Sequence, residues 1–205
     1  MVDGNTRKAC IDIYRFGYIL ALNLSKWIEE RMYFKPSEIA LVKKMFYRAE
    51  DLAEGYFRLG RGWLRAYRYE VETLVQLREH EVDSKAFAHL CRYLYQKDGN
   101  ADHPDNFYFF KICLQDDRIL AAVKRSSPFV KLAPLMLYIA AHELVHVIRF
   151  NSREIDFDAP LEEKIAEEEK VHSITGDMLQ SVADTDINLV LDCFNSRYQI
   201  GDIYN

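Results

Sequence analysis

The sequence predicts a predominantly helical α+β fold. Three observations lead there. Four stretches before residue 97 repeat apolar residues at the three- and four-residue spacing of a helix face. A segment over 107–123 is instead dense in β-forming residues. Three more helical stretches follow it, the last ending at residue 194. The chain has 205 residues, of which 49% are hydrophobic and 29% charged. That is enough apolar material for a buried core and is far from the composition of a disordered chain.

Residues 6–33 read as a first helix, with Tyr14, Leu20, Leu24, Trp27 and Ile28 on one stripe. Pro36 interrupts it, and Ser37 restarts the chain as an N-cap with Glu38 in the first turn. The second helix carries Val42, Met45, Phe46, Leu52, Ala53 and Tyr56 inward and ends near Gly60. A third is expected over 63–80, burying Leu64, Tyr67, Val71, Leu74 and Val75. A fourth, capped by Ser84, buries Phe87, Leu90, Cys91 and Leu94. The loop 98–106, with Gly99 and Pro104, separates an N-terminal helical region (1–100) from a C-terminal unit (101–205), the two packed as one compact body. Residues 107–114 and 119–123 are the expected arms of a β-hairpin. Helices follow over 132–150, 160–182 and 185–194, with Asp158 and Thr185 as caps.

The net charge of −5 argues against a general nucleic-acid binder, which carries a basic excess. Arg61, Arg65 and Arg68 recur at helical spacing near Tyr47, Tyr56, Trp63, Tyr67 and Tyr69. They are expected as a solvated cationic face with the aromatics turned inward, rather than a patch for nucleic acid or an acidic partner. Cys10, Cys91, Cys113 and Cys193 form no C-x-x-C pair, so reduced, buried thiols are expected. His80, His89 and His103 show no metal spacing. No uninterrupted apolar run approaches the roughly 18 residues of a membrane span, and residues 1–9 lack a secretion-signal pattern. A cytoplasmic protein without a membrane partner is the expectation.

The chemistry is concentrated at His142-Glu143-Leu144-Val145-His146, an H-E-x-x-H pattern. With only 6 His in the chain, chance produces this pattern about 0.01 times per chain of such composition. On a helix, His142 and His146 project from one face and can bind one zinc ion, while Glu143 can reach a zinc-bound water. The surrounding helix is apolar except for these three residues and Arg149, so ionisable groups there need compensation. Catalytic zinc takes a third protein ligand, and the helix after Pro160 is the candidate source. On a helical wheel anchored at Leu161, both Glu168 and His172 fall within about 20° of the apolar stripe, Glu169 falls about 80° away on its shoulder, and Glu167, at about 240°, points away.

HELVH followed by a glutamate on the next helix resembles the gluzincin branch of the zincin metallopeptidases. Between His146 and Glu168 lie 21 residues, a separation such enzymes use. The resemblance implies a zincin-like unit over 101–205 with zinc bound by His142, His146 and Glu168. Glu143 would be the catalytic base, and His172 a partner of the ligands or a stabiliser of the oxyanion. Glu169 and His172 stay open as alternative third ligands. The resemblance also implies a strand just before the motif helix, here the 107–123 hairpin, whose edge holds a peptide or protein substrate. The chain departs from the family in having His172, not an acidic residue, four positions after Glu168. Ser152 occupies the place of a metzincin's third histidine.

Two other readings stand beside the peptidase. One is a non-catalytic zincin-fold protein that binds metal for a binding or regulatory role. The other is a di-iron carboxylate protein. It would combine the E-x-x-H motifs at 143–146 and 169–172 with donors among Glu50, Glu54, Glu70 and Glu72.

Overall fold

A computed structural model describes residues 32–66, 69–97, 107–126, 129–182 and 184–194. The helix expected over 6–33 lies outside them except at 32–33, which are not helical, and the 98–106 boundary loop also lies outside. Helix α1 (Pro36–Tyr56) begins two residues earlier than expected. Lys35, not Ser37, is its N-cap, with Pro36 at a first-turn position that needs no N–H. The Lys35 N–H donates to Glu38 Oε2 at 2.7 Å.

The next forty residues depart from the expectation. Helix α2 is a single turn (Trp63–Ala66), not a helix to residue 80. The chain then forms strand β1 (Tyr69–Glu72) and two 3-10 turns (Leu74–Gln76 and Glu79–Glu81). The segment expected as the fourth helix is strand β2 (Ala88–Tyr95). Strand β3 (Phe107–Leu114) falls where a strand was expected, but 119–123 is not its hairpin partner and lies inside helix α3 (Asp116–Arg125). β3 is instead the middle strand of a β1-β3-β2 sheet, parallel to β1 and antiparallel to β2. The described part of the first hundred residues is therefore not all helical. It shares its sheet with the second half of the chain.

Helices α4 (Leu132–Asn151), α5 (Leu161–Gln180) and α6 (Thr185–Phe194) match the expected positions. The cap of α6 is Asp184 rather than Thr185, since its carboxylate accepts the Ile187 N–H at 2.9 Å. α5 starts after Pro160 rather than on an Asp158 cap.

α4 is the axis of the molecule. Every residue from Pro134 to Phe150 is buried, with α1, α5 and α6 packed against it. By length and composition α4 could cross a membrane, contrary to the expectation from the uninterrupted-run criterion, and 83% of its apolar window is buried inside the chain. The even-numbered face of the sheet (Leu90, Phe110, Ile112, Leu114) joins the same core, and Phe110 stacks on Phe150 of α4 at 5.6 Å. Asp116 ties distant segments together, accepting the N–H of Phe34 at 3.0 Å and of Leu74 at 2.9 Å. Tyr56 and Val75, expected inside, are exposed.

Candidate metal centre

The two histidines of HELVH lie one turn apart on α4 and are fully buried. Their Nε2 atoms approach to 3.1 Å. Two nitrogens held tetrahedrally by one zinc, each about 2.0–2.1 Å from it, would be about 3.3 Å apart. The pair is therefore spaced for a shared cation.

α5 crosses above this turn and brings Glu168 to it. Oε1 of Glu168 lies 3.0 Å from His142 Nε2, and Oε2 lies 3.2 Å from His146 Nε2. His172, one turn further on, places Nε2 3.4 Å from Glu168 Oε1. Three imidazoles and one carboxylate thus meet at one point. His142, Glu168 and His172 also form a compact group of potential ligand atoms by themselves. Of the open third-ligand candidates, Glu168 and His172 reach the site, and Glu169 is exposed.

Burial pushes the His142 imidazole down to about 3, which keeps it neutral, the form that binds metals. Burial alone would raise Glu168, but His142 and hydrogen bonds from the three histidines outweigh it and hold the carboxyl well below its usual range. Burial, and then the charge of Glu168, raises Glu143 well above the ordinary carboxylate range. Glu143 is 1% exposed, and among the described residues its Oε2 makes no hydrogen bond. Such an oxygen needs a polar partner that these residues do not supply. The donor set of imidazoles and one carboxylate suits zinc.

Two supporting residues, Tyr138 and Arg149, were given no role at the site from the sequence. Tyr138 sits one turn before His142, and its hydroxyl lies 2.8 Å from His172 Nδ1. Its ring stacks on Phe194 of α6 at 4.2 Å. The 138-142-146 spacing carried this signal, because residues four apart share a helix face. Arg149, next along that face, forms a two-pronged ion pair with Glu167, one contact being 2.8 Å, and also meets Glu154. The wheel turned Glu167 away from the protein, yet it is 5% exposed, while Leu161 and Ile165, which defined the supposed apolar face, are exposed. Burial in α5 instead follows Glu167, Val171, Thr175, Met178 and Leu179.

The carboxylates proposed for a di-iron site have other roles. Glu50 accepts from Tyr69 at 2.6 Å and pairs with Arg65. Glu54 accepts the N–H groups of Gly62 and Leu64. Glu72 pairs with Lys111 at 2.8 Å, and Glu70 is exposed on β1. Arg65 lies over Tyr47, and Arg61 and Arg65 are exposed as expected of a solvated face, but Tyr47, like Tyr56, is exposed rather than turned inward; Tyr67 and Arg68 lie outside the described residues. A cavity of about 820 Å³ between α1 and β1 is lined by Glu50, Arg65 and Tyr69 and includes none of the residues of the metal centre. No family model, curated protein or solved structure matches this chain.

Proposed function

We propose that the chain is a zinc-dependent metallopeptidase, with a peptide or protein as substrate. The observation that carries the reading is the convergence of His142 and His146 on both oxygens of Glu168, beside the buried carboxyl of Glu143. In this reading His142, His146 and Glu168 hold the metal. Zinc, when bound, lowers the pKa of water towards about 7 and polarises a carbonyl. Glu143, whose affinity for a proton is raised by burial, takes a proton from water and delivers it to the departing amine. His172, held at Nδ1 by Tyr138, offers its Nε2 side to the developing oxyanion. Because β3 is a central strand, substrate pairing would have to use an outer edge of β1 or β2, unpaired among the described residues, rather than the expected hairpin.

The test is cleavage of a mixed peptide library by the zinc-loaded full chain and by Glu143→Gln. Cleavage by the wild type, lost by at least about 100-fold in a variant that still binds one zinc at this site, is expected. Zinc bound by a wild type that cleaves no peptide would overturn the peptidase reading and favour the second one, a metal-binding protein without catalysis. The complete burial of His142 and His146 is the observation on the side of that second reading.

A further inference from the structure

The odd-numbered face of the sheet, turned away from α4, carries a second set of ligand-type residues. The β2–β3 register sets His89 opposite Cys113 and Cys91 opposite Lys111. Residues two apart on a strand share a face, so His89, Cys91 and Cys113 all point to the same side. Each is at most 1% exposed, and one ligand atom from each falls within 4.8 Å of the other two. The Cys91 and Cys113 sulfurs are 3.8 Å apart. Two sulfurs bound tetrahedrally at about 2.3 Å to one zinc are also about 3.8 Å apart, whereas a disulfide needs about 2.05 Å. Cys91 and Cys113 are moreover diagonal in the ladder, where Cα atoms lie about 7–8 Å apart, beyond ordinary disulfide reach.

We propose that His89, Cys91 and Cys113 form a second metal site, for a thiophilic d10 cation, Zn²⁺ or Cu⁺. Two thiolates and an imidazole are soft-to-borderline donors that select these ions over magnesium or calcium. Three donors complete a trigonal Cu⁺ site; Zn²⁺ would add a fourth. The full burial of the ligands suits a structural or storage site rather than a catalytic one. The site pins β2 to β3 on the face that lacks the α4 core. The proposal is independent of the peptidase reading, because the HELVH centre has no sulfur donor.

The test uses the full chain with Cys10→Ser and Cys193→Ser, which leaves only the two strand cysteines. Metal-free, reduced protein is titrated with Co²⁺. A sulfur-to-cobalt charge-transfer band in the near ultraviolet, saturating at one ion, is expected, and its loss on further changing Cys113→Ser assigns the ligand. Displacement of cobalt by Zn²⁺ or by Cu⁺, run as separate arms, identifies the preferred ion, and either ion supports the site. Absence of the band in the folded double variant, together with no uptake of Zn²⁺ or Cu⁺ protected from a chromophoric chelator beyond that bound at the HELVH centre, would overturn the proposal. So would a Cys91–Cys113 disulfide in protein purified under reducing conditions. Loss of peptide cleavage with the band intact would count against the HELVH reading alone.

Discussion

Arg149→Met should be among the most damaging single changes outside the metal ligands. Arg149 and Glu167 have side chains only 3% and 5% exposed and face each other across the α4–α5 interface. Removing the guanidinium leaves a buried carboxylate without its counter-charge. Glu154, the other partner, is 43% exposed and can turn to water, so only one charge is stranded. Breaking a buried pair in this way costs about 3–5 kcal/mol. For a chain of this size that lowers the melting temperature by on the order of 6–20 °C. The same pair sets the height of α5 over α4 one residue before Glu168, so zinc affinity should fall about 10–100-fold. Urea unfolding of the metal-free protein and competitive zinc titration measure the two effects. The double variant Arg149→Met, Glu167→Met removes both charges and should recover most of the stability, because apolar replacement of a buried pair is about neutral. A loss under about 1 kcal/mol in the single variant, or a double variant as unstable as the single, would refute the reasoning.

Three further outcomes are expected. Tyr138→Phe keeps the ring stack on Phe194 but removes the hydroxyl at His172 Nδ1; zinc affinity should drop about tenfold with stability changed by about 1 kcal/mol, and an unchanged affinity in competitive titration removes Tyr138 from the site. Asp116→Ala strands the N–H groups of Phe34 and Leu74 and should lower stability by about 2–4 kcal/mol, while Asp116→Asn, which keeps an acceptor, loses less; equal losses in chemical denaturation would show that the hydrogen bonds are not the cause. In the metal-free Glu143→Gln chain, folded His142 stays neutral to about 3 whereas unfolded imidazoles protonate near 6.5, so unfolding takes up a proton between those values. Stability should therefore fall as pH drops from 6.5, with a slope approaching about 1.4 kcal/mol per pH unit, and a urea midpoint flat from pH 6.5 to 4 contradicts it.

The sequence was legible where helices are long and punctuated. α4, α5 and α6 stand where periodicity put them, and HELVH announced its own geometry. The region 63–95 misled for a physical reason. Five of the eight residues of β2 are buried, on both faces, and a strand buried on both sides shows no in-out alternation. Phe87, Leu90, Cys91 and Leu94 then fit a helical spacing by coincidence. That error hid the second cluster, since His89 and Cys91 diverge on a helix and coincide on a strand. The short run 119–123 failed in the other direction, because a few apolar residues do not distinguish a strand from a buried helix turn. On α5 the site came out through Glu168 and His172, although Leu161 and Ile165 proved to be solvent-facing. The Arg149–Glu167 pair accounts for the discrepancy: the buried ion pair fixes which face of α5 meets α4, and Leu161 and Ile165 fall on the opposite, exposed side.

The position of β3 between β1 and β2 also governs the order in which the chain can fold. Both outer strands leave the ribosome before the strand that joins them, and neither is paired to the other. Until Leu114 has emerged, β1 and β2 present unsatisfied backbone edges, and until Asn151 has emerged α1 lacks the helix it packs on. The rate of folding is then set by contacts between residues far apart in sequence. The nascent N-terminal half is the stage most exposed to aggregation and to chaperone capture, and a ribosome-stalled chain ending before residue 107 should remain protease-sensitive where one extended past residue 194 does not.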